Sequence, residues 1–271
     1  MDLQDKTAVV TGAASGIGLA LTERFVAEGM AVVMADIEAA VLEEQATRLR
    51  DAGAAVTPVV CDVGDPDQIT ELRARALEVS GAVHVLCNNA GVAAGRPNHK
   101  TKPSIWRWMV DVNVLGPAYA ISAFVPDMVA QGEGHVVNTA SEAGLVSSPV
   151  LGAYHATKYA VVGLSESLAL ELDGTGVGVT CLCPELVDTK IFESTRNAPE
   201  WAGLRPPQPV EIAALEQFMG TKAMDPADVA GQVVYAIRAN KFWVLTHQIT
   251  LDRARRRNED LTALRNPRYQ A

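Results

Sequence analysis

Seven short runs of nearly unbroken apolar residues punctuate the chain. They are TAVVT (7–11), MAVVMA (30–35), AVTPVVC (55–61), VHVLC (83–87), HVVNT (135–139), VGVTCL (177–182) and FWVLT (242–246). Runs of this kind suit parallel strands that are covered on both faces. Between them the apolar positions take up helical spacing. Ile17, Leu21 and Phe25 recur every four residues with Ala20 beside them, and Gly29 fits a helix C-cap. The order is βαβαβ followed by βαβαβ. It predicts an α/β fold: one doubly wound, Rossmann-type parallel sheet of about seven strands, with helices on both faces.

The rhythm breaks once. Residues 185–225 carry Pro199, Pro206, Pro207, Pro209 and Trp201 in a long excursion after the sixth strand. Long insertions at strand ends are commonly lids or substrate loops. Helical spacing puts Ile212, Leu215, Phe218 and Met219 on one apolar face, which either packs on the body or folds over a substrate. The expected organisation is a single domain over 1–271, with a lid at about 190–224 and a helical tail at about 250–271.

Composition narrows the classes. With 271 residues, 48% of them hydrophobic, the chain can bury a sizeable core. A net charge of -9 argues against a nucleic-acid partner. The basic run RARRR (253–257) is interrupted by Asp252, Glu259 and Asp260, and reads as a solvated helix face. Cys61, Cys87, Cys181 and Cys183 read as buried thiols; Cys181 and Cys183 lack the second pair that a zinc site needs, so no metal is expected. The N-terminus has no signal-peptide pattern and no apolar run reaches membrane-spanning length. A cytoplasmic protein with no membrane partner is expected.

Ligands of doubly wound sheets bind beyond the carboxyl ends of the strands. After the first strand comes TGAASGIG, with Gly12, Ser15, Gly16, Ile17 and Gly18 leading into a helix. Glycines allow close approach to a pyrophosphate, and a helix N-terminus offers free N–H groups to it. After the second strand comes Asp36, 18 residues past Gly18, placed to accept from adenosine ribose hydroxyls. No cation sits in the glycine loop or beside Asp36, so a 2′-phosphate would meet an uncompensated carboxylate; this favours NAD over NADP. Asp62 and Val63 follow the third strand, where an adenine amino group could be met. Asn88-Asn89-Ala90-Gly91 follows the fourth, small and polar. Ser141 follows the fifth, and Tyr154 and Lys158 lie one helical turn apart in YHATK. Asn113 stands mid-helix, an awkward place for a residue that prefers caps.

TGAASGIG, NNAG, Asn113, Ser141, YHATK and CPELVDT (183–189), in this order, resemble the short-chain dehydrogenase/reductase family over residues 5 to about 190. The resemblance implies that Tyr154 is the catalytic acid/base, with Lys158, Ser141 and Asn113 as its partners. Lys158 would also reach the nicotinamide ribose, Ser141 would donate to the substrate oxygen, and Asn113 would hold a water. Asn89, Ala90, Gly91, Pro184, Val187 and Thr189 would line the nicotinamide side. An ammonium ~4 Å from the phenol, at an effective dielectric of ~20, contributes roughly 4 kcal/mol, or about 3 pKa units. With the positive nicotinamide this brings the phenol toward ~7, where it can act as a base.

Two departures stand out. Pro184 is followed by Glu185 where the family usually has glycine; the carboxylate either nears the nicotinamide pocket or points to solvent. The C-terminus ends in a charged helix instead of a glycine-rich strand–loop. The resulting expectation is an NAD-dependent alcohol dehydrogenase/ketone reductase for a small hydrophobic alcohol or ketone. A homodimer or homotetramer through the helices near 103–130 and 152–172 is expected by analogy. The rivals are an NADP-linked ketoreductase and an inactive dinucleotide-sensing protein; the Ser141–Tyr154–Lys158 set argues against the latter.

Overall fold

Along the first strand, β1 (Thr7–Thr11), successive side chains enter two different cores. Ala8 and Val10 join one, while Val9 joins the other. Period-two alternation over a strand buried on both sides requires helices above and below it. The computed structural model, which describes residues 1–206, 208–219 and 223–269, supplies them. The other strands are β2 (Ala31–Asp36), β3 (Val56–Val60), β4 (Val85–Asn88), β5 (Gly134–Thr139), β6 (Val177–Cys183) and β7 (Trp243–Leu245). Among the described residues they form one seven-stranded sheet in the order β3-β2-β1-β4-β5-β6-β7, all pairs parallel. Each strand lies within a residue or two of its expected run. At the β3 edge Pro58 is tolerated because the outer side of that strand needs no N–H, and Val60 is exposed.

The helices are α1 (Gly16–Ala27), α2 (Ala39–Asp51), α3 (Pro66–Ser80), α4 (Pro103–Val110), α5 (Gly116–Gln131), α6 (Gly152–Glu171), α7 (Pro209–Met219), α8 (Pro226–Arg238) and α9 (Gln248–Thr262). One face of the sheet is covered by α1, α2 and α8, through Leu21, Phe25, Leu42, Ala46, Val233 and Ile237. The other is covered by α3, α5 and α6, through Ile69, Leu72, Phe124, Met128 and Leu168. Helix α1 follows its expected period. It ends at Ala27, and Gly29 takes the left-handed conformation just beyond, at φ 82°.

One expectation fails. Joined through a π-helical turn at Asp111–Leu115, α4 and α5 make a 29-residue stretch, Pro103–Gln131, that is long and apolar enough to cross a membrane. The sequence reading missed it because polar residues divide the run into short blocks. In the fold its inner face packs against β4, β5, α3 and α6, as a core helix does. The excursion forms 3₁₀ turns at Lys190–Asn197 and Glu200–Ala202, then α7. Of the apolar face expected there, the side chains of Leu215, Phe218 and Met219 lie outside the described residues.

The strand order reverses between β1 and β4. Their connections leave in opposite directions, and a crevice opens at the carboxyl edge.

Candidate active site

The crevice is a cleft of about 690 Å³, and every strand end that faces it contributes. At its floor Thr11 ties the two diverging strands. Its hydroxyl donates to the Cys87 carbonyl (3.3 Å) and accepts from the N–H groups of Asn89 (3.0 Å) and Ala90 (3.1 Å). The Asn89 amide donates back to the Thr11 carbonyl at 3.0 Å. Gly12 and Gly16 have φ of 67° and 55°. A Cβ on Gly12 would stand 2.9 Å from the Ala90 Cα, and one on Gly18 would stand 2.0 Å from the Gly12 carbonyl oxygen. Gly12 and Gly18 therefore cannot carry a side chain without displacing their neighbours. Ser15 caps α1 without a side-chain bond to its N–H groups. This is a groove suited to a pyrophosphate.

Asp36 is buried at the next strand end, and both its oxygens are engaged. Oδ2 accepts from the Ala14 N–H (2.9 Å) and Oδ1 from the Glu38 N–H (3.0 Å). The carboxylate thus braces the glycine loop and keeps lone pairs for a further donor. Asp62 accepts from the Gly64 N–H at 2.9 Å, and Val63 packs where Gly116 leaves space. A cation that the sequence reading missed lies close by. Arg196, from the excursion, forks onto Glu38 at 3.0 and 2.6 Å and lines the same cleft. It comes from 158 positions away, so local sequence around Asp36 gave no sign of it.

Ser141, Tyr154 and Lys158 meet at the opposite end, with Asn113 behind them. Ser141 caps a single 3₁₀ turn, Glu142–Gly144, accepting from the Ala143 N–H at 3.1 Å and donating to the Pro184 carbonyl at 3.3 Å. Tyr154 and Lys158 share one face of α6. The Lys158 ammonium is buried, donates to the Thr139 carbonyl at 2.8 Å, and lies 5.7 Å from the centre of the Tyr154 ring. Burial pushes Lys158 down to about 8. Burial also pushes Tyr154 up to about 12, and only the hydrogen bond with Ser141 works the other way. The sequence reading had the opposite sign for the phenol. It gave full weight to an ammonium ~4 Å away and none to desolvation, which here dominates for both groups.

Asn113 occupies the π-turn between α4 and α5. Its amide donates to the Val92 carbonyl (2.9 Å) and the Thr157 hydroxyl (3.0 Å), and accepts from the Val92 N–H (2.8 Å). It fastens the β4 loop to α6, one residue before Lys158. Pro117 lacks the N–H that an α-helix would direct at the Asn113 carbonyl.

His155, beside Tyr154, also went unread. Its Nε2 accepts from the Ser148 N–H (2.9 Å), which leaves Nδ1 to donate to the Ala143 carbonyl (2.9 Å). The imidazole staples the Ser141 loop to α6. Pro184, Val187 and Thr189 line the cleft with Gly91, and the Thr189 side chain touches the space above Gly16. Glu185 does not point to solvent. Its carboxylate is buried against Arg253 of α9, at 2.9 Å. The expected solvated face at RARRR is corrected by the same contact, because Arg253 turns inward. The cleft lining includes the apolar residues Val92, Trp108, Val146, Leu151, Phe192 and Trp201, interspersed with Ser147, Ser148 and His155.

The family model for short chain dehydrogenases matches residues 6–200. The 1-deoxy-11-beta-hydroxypentalenate dehydrogenase of Streptomyces exfoliatus is 36% identical over 264 residues, covering 96% of this chain and 90% of its own. The galactitol 2-dehydrogenase (L-tagatose-forming) of Cereibacter sphaeroides is 38% identical over 232 residues, covering 82% and 90%. A short-chain dehydrogenase/reductase from Burkholderia phymatum, solved in complex with NAD, superposes with a TM-score of 0.94 at 39% identity, covering 100% of this chain and 99% of that one.

The free protein offers a direct check on the raised phenol. From about pH 7 to about pH 10, wild type and Tyr154→Phe should show the same phenolate absorbance, since the other tyrosines are common to both and Tyr154 stays protonated. An additional phenolate in wild type with a midpoint below about 10 would show that burial does not dominate.

Proposed function

The chain belongs to the short-chain dehydrogenase family of oxidoreductases, and within it we propose an NAD-dependent enzyme that interconverts a nonpolar secondary alcohol and its ketone. The observation that carries this reading is the placement of Ser141, Tyr154 and Lys158 at one end of a cleft whose other end is the glycine loop and Asp36. The glycine loop would hold the pyrophosphate, Asp36 the adenosine ribose, and Asp62-Val63 the adenine. Asn89, Ala90, Gly91, Pro184, Val187 and Thr189 would hold the nicotinamide side, with Lys158 on its ribose. Bound NAD supplies the electron-pair acceptor for the alcohol carbon and a positive charge near the phenol.

This chain's residues handle the proton and the geometry. Tyr154 takes the hydroxyl proton in oxidation and returns it in reduction. Because the free site holds its pKa near 12, the phenol is stored as an acid and becomes a base only when positive charge enters the cleft. Lys158, near 8, carries its own charge at neutral pH and is poised to lose it as pH rises. Ser141 donates to the substrate oxygen as it gains negative charge. The apolar part of the lining, from Val92 to Trp201, keeps water from the reacting carbon and suits a hydrophobic substrate. NAD over NADP is supported by the buried Asp36 carboxylate and by Glu38, which holds Arg196 in an ion pair.

The excursion from 190 to 224 serves as the lid in this reading. Its first part is already anchored: the Ser194 hydroxyl accepts from the Ala93 N–H (2.8 Å) and donates to its carbonyl (3.1 Å), and Ser104 donates to the Ala202 carbonyl (3.1 Å). Closure is then the work of the segment after Ala202.

Three outcomes test the reading. Tyr154→Phe should lose ~10²–10⁴-fold in turnover while binding NAD as wild type does; near-normal turnover with a good alcohol rules out Tyr154 as the base. Wild type should prefer NAD, and Asp36→Ala with Ile37→Arg should move the preference toward NADP. Equal wild-type efficiency with both cofactors would refute the role given to Asp36. Hydrogen exchange with NAD alone, then with alcohol added, should show new protection after Ala202 and little change over 190–202. Unchanged exchange throughout the excursion would rule out a lid.

A further inference from the structure

The two departures from the family pattern, Glu185 and the charged C-terminal helix, meet in one ion cluster. Arg253 Nη1 donates to Glu142 Oε1 at 2.8 Å and to Glu185 Oε1 at 2.9 Å. Thr250, one turn earlier on α9 and fully buried, donates to Glu142 Oε2 at 2.7 Å. The side chains of Glu142, Glu185 and Arg253 are 12%, 8% and 18% exposed. Glu142 follows Ser141 directly, and Glu185 follows Pro184. The backbones of the two turns are also joined, the Glu142 N–H donating to the Pro184 carbonyl at 2.8 Å.

We propose that Arg253 is a positioning residue for the reaction, a cationic clamp that sets the spacing between the turn carrying Ser141 and the turn running from Pro184 to Thr189. The proposal rests on the functional reading above. Two carboxylates bound to one nitrogen stand within roughly 6 Å of each other and repel without the cation between them. The cluster is poorly built for stability alone. Glu185 Oε2 and Arg253 Nε are buried with no hydrogen-bond partner, and a half-satisfied buried pair contributes little net free energy. What the arrangement does supply is a fixed point. It joins β5, β6 and α9 at the place where Ser141 must meet a substrate oxygen held against the Pro184–Thr189 turn.

The test uses Arg253→Met, Arg253→Lys, Glu185→Gln and the double variant Arg253→Met/Glu185→Gln in the full chain. Hydrogen exchange is read in the free protein, and turnover and NADH affinity with cofactor. Arg253→Met should speed exchange over 142–146 and 185–188 while β1 and β2 keep wild-type rates. Its kcat should fall about 10–100-fold, as expected of a misplaced reacting group, with NADH affinity changed less than about threefold. Arg253→Lys should retain most of the activity. The double variant should regain much of both losses, because the uncompensated charge pair is gone. Wild-type exchange in both turns of Arg253→Met, or a double variant as impaired as Arg253→Met alone, would overturn the clamp. Faster exchange across the whole sheet would do the same, since it marks general destabilisation. If wild type oxidises no alcohol with NAD, the functional reading fails, and the exchange measurements still decide the clamp.

Discussion

A parallel sheet buried on both faces has nowhere to put chemistry except its ends. The inner strands β1, β2, β4 and β5 hand their side chains alternately to two apolar cores, and a polar group in either would need its own partner. The exceptions are paired: Asn88 donates to Asn138 at 2.8 Å, and Asn138 donates to Ser165 at 3.0 Å. His135 and Thr180 form a further internal pair at 2.7 Å, and at the carboxyl edge Thr11, Asp36, Asp62, Asn89, Ser141 and Pro184 stand on successive strand ends. The reversal of strand order between β1 and β4 parts the connections and leaves room for a ligand among them. Architecture and site are consequences of the same burial.

Burial also governs the electrostatics. Lys158 lies 5.7 Å from the centre of the Tyr154 ring, yet burial shifts both groups toward neutrality. Attraction between the two would count for most if both were ionised, and desolvation acts against that state twice. In the free protein burial favours the neutral form of both groups. Around them, neutral groups with fully assigned hydrogen bonds hold the geometry: Asn113 ties the β4 loop to α6, and His155 ties the Ser141 turn to the same helix. Asn113 is held by the Val92 backbone and the Thr157 hydroxyl, and His155 by the Ser148 N–H and the Ala143 carbonyl.

What was legible in the sequence was local. The strand runs, the glycine loop, the acid after β2 and the four-residue spacing of Tyr154 and Lys158 are patterns a reader can see within a dozen positions. Ser141 and Asn113 became readable only through the order of the motifs. The remainder was not visible, because it joins distant positions. Arg253 reaches Glu142 across 111 residues and Glu185 across 68, and Arg196 reaches Glu38 across 158. In the sequence each of these looks like an ordinary surface charge. The π-turn at Asp111–Leu115 was hidden for another reason: Pro117 hinted at a break, yet the apolar spacing continued through it. The sign of the tyrosine shift required knowing how much protein surrounds the ring, which spacing does not reveal.

The brace formed by Asp36 bears on how such a protein can evolve. One carboxylate lines the cleft and also satisfies the N–H groups of Ala14 and Glu38. A lineage that exchanges this residue to accept a different nucleotide also strands two backbone donors, at about 1–3 kcal/mol for each left buried. Neighbouring positions carry no such double debt. Glu38 holds Arg196 by its side chain alone, so its replacement frees a guanidinium in the same cleft without loosening the glycine loop. The residue two positions after the conspicuous acid can thus be exchanged with less disturbance to the glycine loop than the acid itself.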